Sequence, residues 1–261
     1  MKSHFLGLII FLFSLTACTK EPSVELIPSN KPLLLSEFKS DNDITRFDYN
    51  TDSTLNKLFF TTDPFSQDQN VTYNVKYLSG KRVNELIGSN GTVIKISYNG
   101  NRLSKSEIFA GATLVSKSEY IYTAYQISSV LMSLFSANSS IGTLKFKFDF
   151  ILNSNKNVSS SKFFALNPVN NQYVEESIVN FQFDNKNNPF SSAGDLMVVF
   201  WQYANTNNII KQENRDLSGD LLELIETTYT YNTFGYPTKA AMKITEPGLQ
   251  PVTSQLIYTY K

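Results

Sequence analysis

Apolar and polar residues alternate along most of this chain with a period of two. In Val71-Thr72-Tyr73-Asn74-Val75-Lys76-Tyr77, Val71, Tyr73, Val75 and Tyr77 share one face and the polar residues share the other. Leu144, Phe146, Phe148 and Phe150 likewise oppose Lys145, Lys147 and Asp149. Successive side chains on a strand point to opposite faces, so the pattern predicts antiparallel strands with one greasy and one wet side. Further copies occur at Arg46–Asn50, Ile94–Gly100, Tyr120–Tyr122, Val179–Asp184, Tyr229–Asn232 and Leu256–Tyr260. Turns such as Asn99-Gly100-Asn101 and Phe234-Gly235-Tyr236-Pro237 supply the positive-φ or rigid positions that hairpins need.

Aromatic anchors at Tyr49, Tyr77, Tyr98, Tyr122, Phe150, Phe183, Tyr231 and Tyr260 suit one hairpin per unit, with insertions in the later units. A lone hairpin cannot bury its apolar face, so neighbours must stack. The expected fold is all-β: one domain over 43–261, an antiparallel up-and-down meander of tandem hairpins, strongly curled or barrel-like. One segment resists this register. Ile127, Val130, Leu131, Leu134 and Phe135 fall at helical spacing, which predicts a short helix or irregular insert as readily as a strand.

Ahead of the domain, Phe5–Leu15 is an apolar stretch too short to span a bilayer as a helix and suited to the core of a signal peptide. It runs into Leu15-Thr16-Ala17-Cys18, which resembles the lipobox of bacterial lipoproteins. The resemblance implies a signal peptide over 1–17, and Cys18 as the residue that receives the lipid. Acyl chains contribute about 0.8 kcal/mol per buried CH₂, so several would anchor the protein stably. Residues 18–42, with Pro22, Pro28 and Pro32, read as an extended tether, and Leu33-Leu34-Leu35 can dock on the body as a first strand. The expected location is the outer membrane, on its periplasmic face or at the cell surface. Outer-membrane pores also alternate, but they turn their apolar side to lipid, and a lipobox with a polar C-terminal Lys261 speaks against one here.

Composition narrows the chemistry. Lys and Arg number 23 and Asp and Glu number 23, so a basic face for nucleic acid is not expected. The one His is His4 and the one Cys is Cys18. If cleavage precedes Cys18, the mature body has no His, and Ser-His-Asp or Cys-His catalysis is excluded, as are zinc, haem and iron–sulfur sites that rely on those ligands. No cofactor is expected.

The strand copies resemble the YD-type (RHS-like) repeat, whose core is Tyr-x-Tyr-(Asp/Asn)-x-x-Gly; Tyr229 to Pro237 is the best match. The order of motifs is also similar to Bacteroidota lipoproteins of unknown function built from such β-hairpins. Here it runs Phe183-Asp184-Asn185-Lys186-Asn187-Asn188-Pro189-Phe190, then Asn207-Asn208-Ile209, then Tyr229 to Pro237. The resemblance implies a barrel-like or curled all-β domain and transfers no catalytic residue.

Paired carboxylates are the acid/base equipment that remains. Glu175-Glu176 and Glu223 with Glu226 suggest a glycosidase pair, although neighbours on a strand face opposite sides. Asp41-Asn42-Asp43 and Asp216 to Asp220 offer oxygen ligands but fit turn chemistry better than a calcium loop, so no metal site is assigned. Phe200-Trp201-Gln202-Tyr203 is the densest aromatic point; Trp201 and Tyr203 are the candidate ligand-stacking residues, with strand alternation splitting the four between core and solvent. The expected function is a non-enzymatic, lipid-anchored envelope protein that binds a glycan, a peptide or an envelope partner. A carbohydrate-active enzyme and a purely structural spacer are the rivals.

Overall fold

The computed structural model describes residues 33–40, 43–79, 81–136, 144–190, 193, 195–201 and 205–261. Sixteen strands follow one another in sequence: β1 (Leu35–Lys39), β2 (Ile44–Tyr49), β3 (Leu55–Thr62), β4 (Gln69–Tyr77), β5 (Val83–Gly88), β6 (Thr92–Asn99), β7 (Arg102–Ala110), β8 (Thr113–Thr123), β9 (Gln126–Leu134), β10 (Leu144–Leu152), β11 (Val158–Asn167), β12 (Gln172–Phe183), β13 (Ile209–Asp216), β14 (Leu221–Tyr231), β15 (Pro237–Thr245) and β16 (Val252–Tyr260). Each pairs antiparallel with the next, and β1 pairs with β16, with Phe38 opposite Tyr258, so the meander closes into a barrel. Closure removes both sheet edges. One short helix, α1 (Asp195–Trp201), interrupts the meander between β12 and β13.

The expected all-β meander is thus present in its fully closed form. The sheet begins at Leu35, so it takes up the last part of the segment expected as a tether. Residues 127–135 do not form a helix. Residues up to Leu134 lie in β9, bonded to β8 on one side and β10 on the other, with Val130 opposite both Tyr120 and Phe148. Two flanking ladders outweigh a chance helical spacing, and Leu131 falls on the outer face with Lys147 and Glu119.

Odd strands run away from the end of the barrel that carries Leu35 and Tyr260, and even strands return to it. This terminal end also holds the 184–208 insert; the distal end holds the hairpins that join each odd strand to the next even one. The aromatic anchors all lie near the terminal ends of the even strands. Five tyrosines there, on β2, β4, β6, β14 and β16, donate a hydroxyl to the first residue's carbonyl on the preceding odd strand: Tyr49 to Leu35 (2.9 Å), Tyr77 to Leu55 (2.6 Å), Tyr98 to Val83 (2.9 Å), Tyr229 to Ile209 (3.0 Å) and Tyr260 to Pro237 (2.6 Å). In these five strand pairs the repeat fixes the stagger with one ring each.

The turns repeat too. At Asn153, Asp216 and Asn232 the side-chain oxygen accepts from the backbone two and four residues on, and the residue three on has positive φ. Gly219 and Gly235 fill that position without strain, whereas Lys156 carries φ 63°.

Candidate functional site

Polarity across the barrel wall is reversed relative to a water-filled pore. The inner face carries Phe38, Phe60, Leu86, Ile94, Val130 and Leu256, all 2% exposed or less. The outer face carries charge. Eight of the ion pairs among the described residues lie on strands, among them Lys76–Glu85 (2.8 Å), Lys105–Glu107 (2.8 Å), Lys117–Glu119 (2.8 Å), Lys147–Asp149 (2.6 Å), Lys162–Glu175 (2.9 Å) and Lys211–Glu213 (2.9 Å). They lie on β1, β2, β4, β5, β7, β8 and β10 to β13.

A sixteen-stranded barrel is too wide for its own side chains to fill. Here part of the lumen is filled by the insert. Phe190 meets Phe38 edge-on at 5.3 Å and lies 6.4 Å from Phe47 and 6.5 Å from Tyr258. Leu196, Met197 and Val198 of α1 are buried, and Phe200 packs against Phe60 (5.6 Å) and Phe65 (5.1 Å). A helix that is apolar nearly all round needs burial, and the lumen buries Leu196, Met197 and Val198 fully and Val199 and Phe200 in part. Asp195, at its start, hydrogen-bonds the Tyr98 hydroxyl; burial pushes its carboxyl above the usual range, opposed by that bond and by nearby Arg82.

The insert is pinned at the terminal end by an amide network. Asn157 donates to Asn207 Oδ1 (2.9 Å) and accepts from the backbone of Thr206 (2.7 Å) and Asn207 (3.0 Å). Asp184 accepts from the Asn208 backbone (3.1 Å), the Asn208 amide (3.1 Å) and the Tyr231 hydroxyl. Asn187 donates to the Phe234 carbonyl (3.0 Å). The three motifs that carry the family resemblance therefore meet in one place, and there they hold the plug.

The distal end differs between its two sides. Beside β3 to β6 it is shut. Asp63, fully buried, accepts from the Tyr73 hydroxyl (2.9 and 3.0 Å), Ser66 Oγ (2.6 Å) and the Asn90 amide (3.2 Å). Burial, then the Asp63 charge, pushes the Tyr73 hydroxyl well above its usual range. Beside β9 to β14 the inward residues Met132, Phe146, Phe163, Val179, Phe181 and Gln212 keep partial exposure although they point into the barrel, so lumen space remains beside them. Phe163 stacks on Phe146 (5.5 Å) and lies 5.3 Å from Phe148, making an aromatic wall.

The carboxylate pairs do not assemble a hydrolytic centre. Glu175 is tied to Lys162 on the outer face and Glu176 is exposed beside a bulge. Glu226 is exposed outward opposite Lys211, whereas Glu223 points inward opposite Asn214. Asp216 serves its own turn, accepting from Ser218 and Asp220, and among the described residues no three His, Cys, Asp or Glu stand as a metal-holding group. The expected strand alternation at 200–203 is corrected: Phe200 and Trp201 belong to α1, whose apolar run Leu196 to Phe200 packs into the lumen, while the Trp201 side chain lies outside what is described. Phe200 is core; Tyr203 lies outside the described residues, as do Cys18, Asp41 and Asn42. The residue that sequence reasoning undervalued is Glu223. Its parity with Ile225, Thr227 and Tyr229 already puts it on the apolar face.

No helix among the described residues is long and apolar enough to cross a membrane, which says nothing of strands. No protein-family model matches the chain, and no curated protein matches it. Among solved structures it is similar to a porin-like protein from Bacteroides uniformis ATCC 8492, with 15% identity, a TM-score of 0.55, and 90% of this chain and 100% of that one covered. It is also similar to a porin-like protein from Bacteroides vulgatus ATCC 8482, with 9% identity, a TM-score of 0.51, and coverage of 88% and 99%. At such identities the likeness shows a shared fold, the large up-and-down barrel.

Proposed function

We propose that this protein is a non-enzymatic, lipid-anchored envelope protein whose barrel stands in water and binds an elongated, largely apolar ligand in the unfilled half of its lumen. The observation that carries this reading is the reversed polarity of the wall. A Lys or Arg facing lipid at the bilayer midplane costs about 2–4 kcal/mol, and this barrel sets rows of them where a pore sets its apolar band. An aromatic lumen with space beside Phe163 and Phe181 favours an apolar guest over an aqueous channel. The carboxylate geometry favours binding over glycoside hydrolysis, because Glu223 and Glu226 lie on opposite faces of one strand. Membrane attachment then falls to the lipid on Cys18 alone.

Cell fractionation tests it. Wild-type protein is expected with the membranes, and Cys18→Ala in the soluble periplasmic fraction. A Cys18→Ala protein that stays with membranes through an alkaline carbonate wash would mean that the barrel itself is embedded, and the reading would fall.

A further inference from the structure

The inner face of β13 and β14 breaks the apolar rule at one place. Asn214 and Glu223 are direct cross-strand partners, so their side chains rise side by side from the barrel wall. Both are buried, Asn214 at 6% and Glu223 at 7% exposed. Asn214 Oδ1 and Glu223 Oε1 have no hydrogen-bond partner among the described residues. Among the described residues no cation pairs with the carboxylate, and the charge acting on it is another acid, Glu246. Arg215 and Lys211, the nearest bases along β13, belong to the outer face and pair with Glu213.

A buried acceptor left unmade is costly, and a buried carboxylate without a counter-charge more so. Two adjacent orphans of the same kind ask for a donor-rich, positively charged partner. The surroundings set the shape of that partner. Val179 stands beside Asn214 on the inner face, and the next inward row is Phe181, Gln212 and Ile225. A ligand that meets Glu223 with its head would thus lay its body along an apolar, aromatic wall.

The position also suits access. Glu223 lies just inside the distal end, behind the β13–β14 turn. Three consecutive distal hairpins there carry exposed apolar tips, Val169 (93%), Leu217 (62%) and Leu249 (63%). This is the end of the barrel away from Leu35, where β1 begins.

We propose that Asn214 and Glu223 form the head-group subsite of the lumen, and that it takes a primary ammonium at the end of an apolar chain. The ammonium donates to Glu223 Oε1 and Asn214 Oδ1 and neutralises the carboxylate, while the chain runs along Val179 and Phe181. This rests on the reading of the lumen as a binding site.

The test uses the full chain carrying Cys18→Ala and three probes that differ only in their heads: dodecylammonium, dodecanol and dodecanoate. Calorimetric titration below each probe's critical micelle concentration, at mildly alkaline pH, gives the affinities. Dodecylammonium is expected to bind at least tenfold more tightly than dodecanol, and dodecanoate weakest. Glu223→Gln should remove the ammonium preference, Asn214→Leu should reduce it severalfold, and the outward-facing Glu226→Gln should leave it intact. Glu223→Gln should also melt at the same or a higher temperature, since it removes an uncompensated buried acid; a binding loss without a stability loss separates the subsite from a structural role. If all three probes bind alike, or Glu223→Gln keeps the preference, the subsite is wrong while the lumen reading stands. If none of the three binds, the lumen reading fails and the subsite with it.

Discussion

The two halves of the barrel are built from the same hairpin and end in different states. The half from β16 round to β6 is filled by its own chain: Tyr73, Leu86 and Ile94 reach 0% exposure against Phe60, Phe65 and the plug. The half from β9 to β13 also turns aromatics inward, and although Phe148 is buried, Phe146, Phe163 and Phe181 remain partly exposed. The difference lies in what covers the wall. A hairpin repeat sets the curvature and the inward faces, but a barrel this wide needs a second element to make a dry core, and Phe190 and Phe200 of the 184–208 insert pack against Phe38, Phe47, Phe60, Phe65 and Tyr258 on the first of these sides. Asn157, Asp184 and Asn208 then appear as fixtures that decide which half is core and which is cavity.

The two halves should differ most under truncation. Phe60→Ala on the plugged side should cost about 3–5 kcal/mol, since it opens a cavity against Phe200 and Tyr73. Phe163→Ala on the open side should cost less than about half of that; chemical denaturation of both variants gives the numbers, and equal losses would erase the distinction. Enlargement should show the opposite asymmetry. Leu86→Phe should destabilise by roughly 1–3 kcal/mol through overpacking, whereas Val179→Phe should be close to neutral by the same measurement.

Loosening the plug comes next. Asn157→Ala removes the acceptor for two backbone donors and the donor to Asn207, and should cost about 2–3 kcal/mol while raising hydrogen exchange selectively at Thr206 and Asn207. Gly235→Val, in the turn beside that network with φ 77°, should cost of order 1–3 kcal/mol; an unchanged melting temperature would mean that the left-handed turn is dispensable. The smallest effect is a gain. Lys156→Gly relieves an L-residue at φ 63° in the equivalent turn and should stabilise by up to about 1 kcal/mol, seen as a small upward shift in melting temperature.

Much of the architecture is legible from alternation. The anchors from Tyr49 to Tyr260 all fall near the terminal ends of even strands, because each must place a ring inward at the close of a hairpin. Closure is less legible, since it depends on the β1–β16 register, which no local pattern encodes. The plug is legible only in retrospect. Leu196 to Trp201 is a short, uninterrupted apolar run, and such a run reads equally as a buried strand or a buried helix. Residues 127–135 show the reverse confusion, in which helical spacing yields to two flanking ladders. At the candidate site, Glu223 is visible in sequence as an acid. Its partner Asn214 is not, because their adjacency follows from a bulged register between β13 and β14.

The barrel as proposed has a wet outer face, one sealed inner half and one open inner half. The single Cys of the chain makes this directly measurable. Starting from Cys18→Ala, one cysteine is introduced at a time, as Thr228→Cys on the exposed outer face, Phe163→Cys on the open wall or Phe60→Cys on the plugged wall. Each protein is mixed with lipid vesicles and reacted with a small water-soluble thiosulfonate. Fast labelling of Thr228→Cys, slower but complete labelling of Phe163→Cys and protection of Phe60→Cys are the predicted result. Protection of Thr228→Cys by the vesicles, or equal rates at Phe163→Cys and Phe60→Cys, would contradict it.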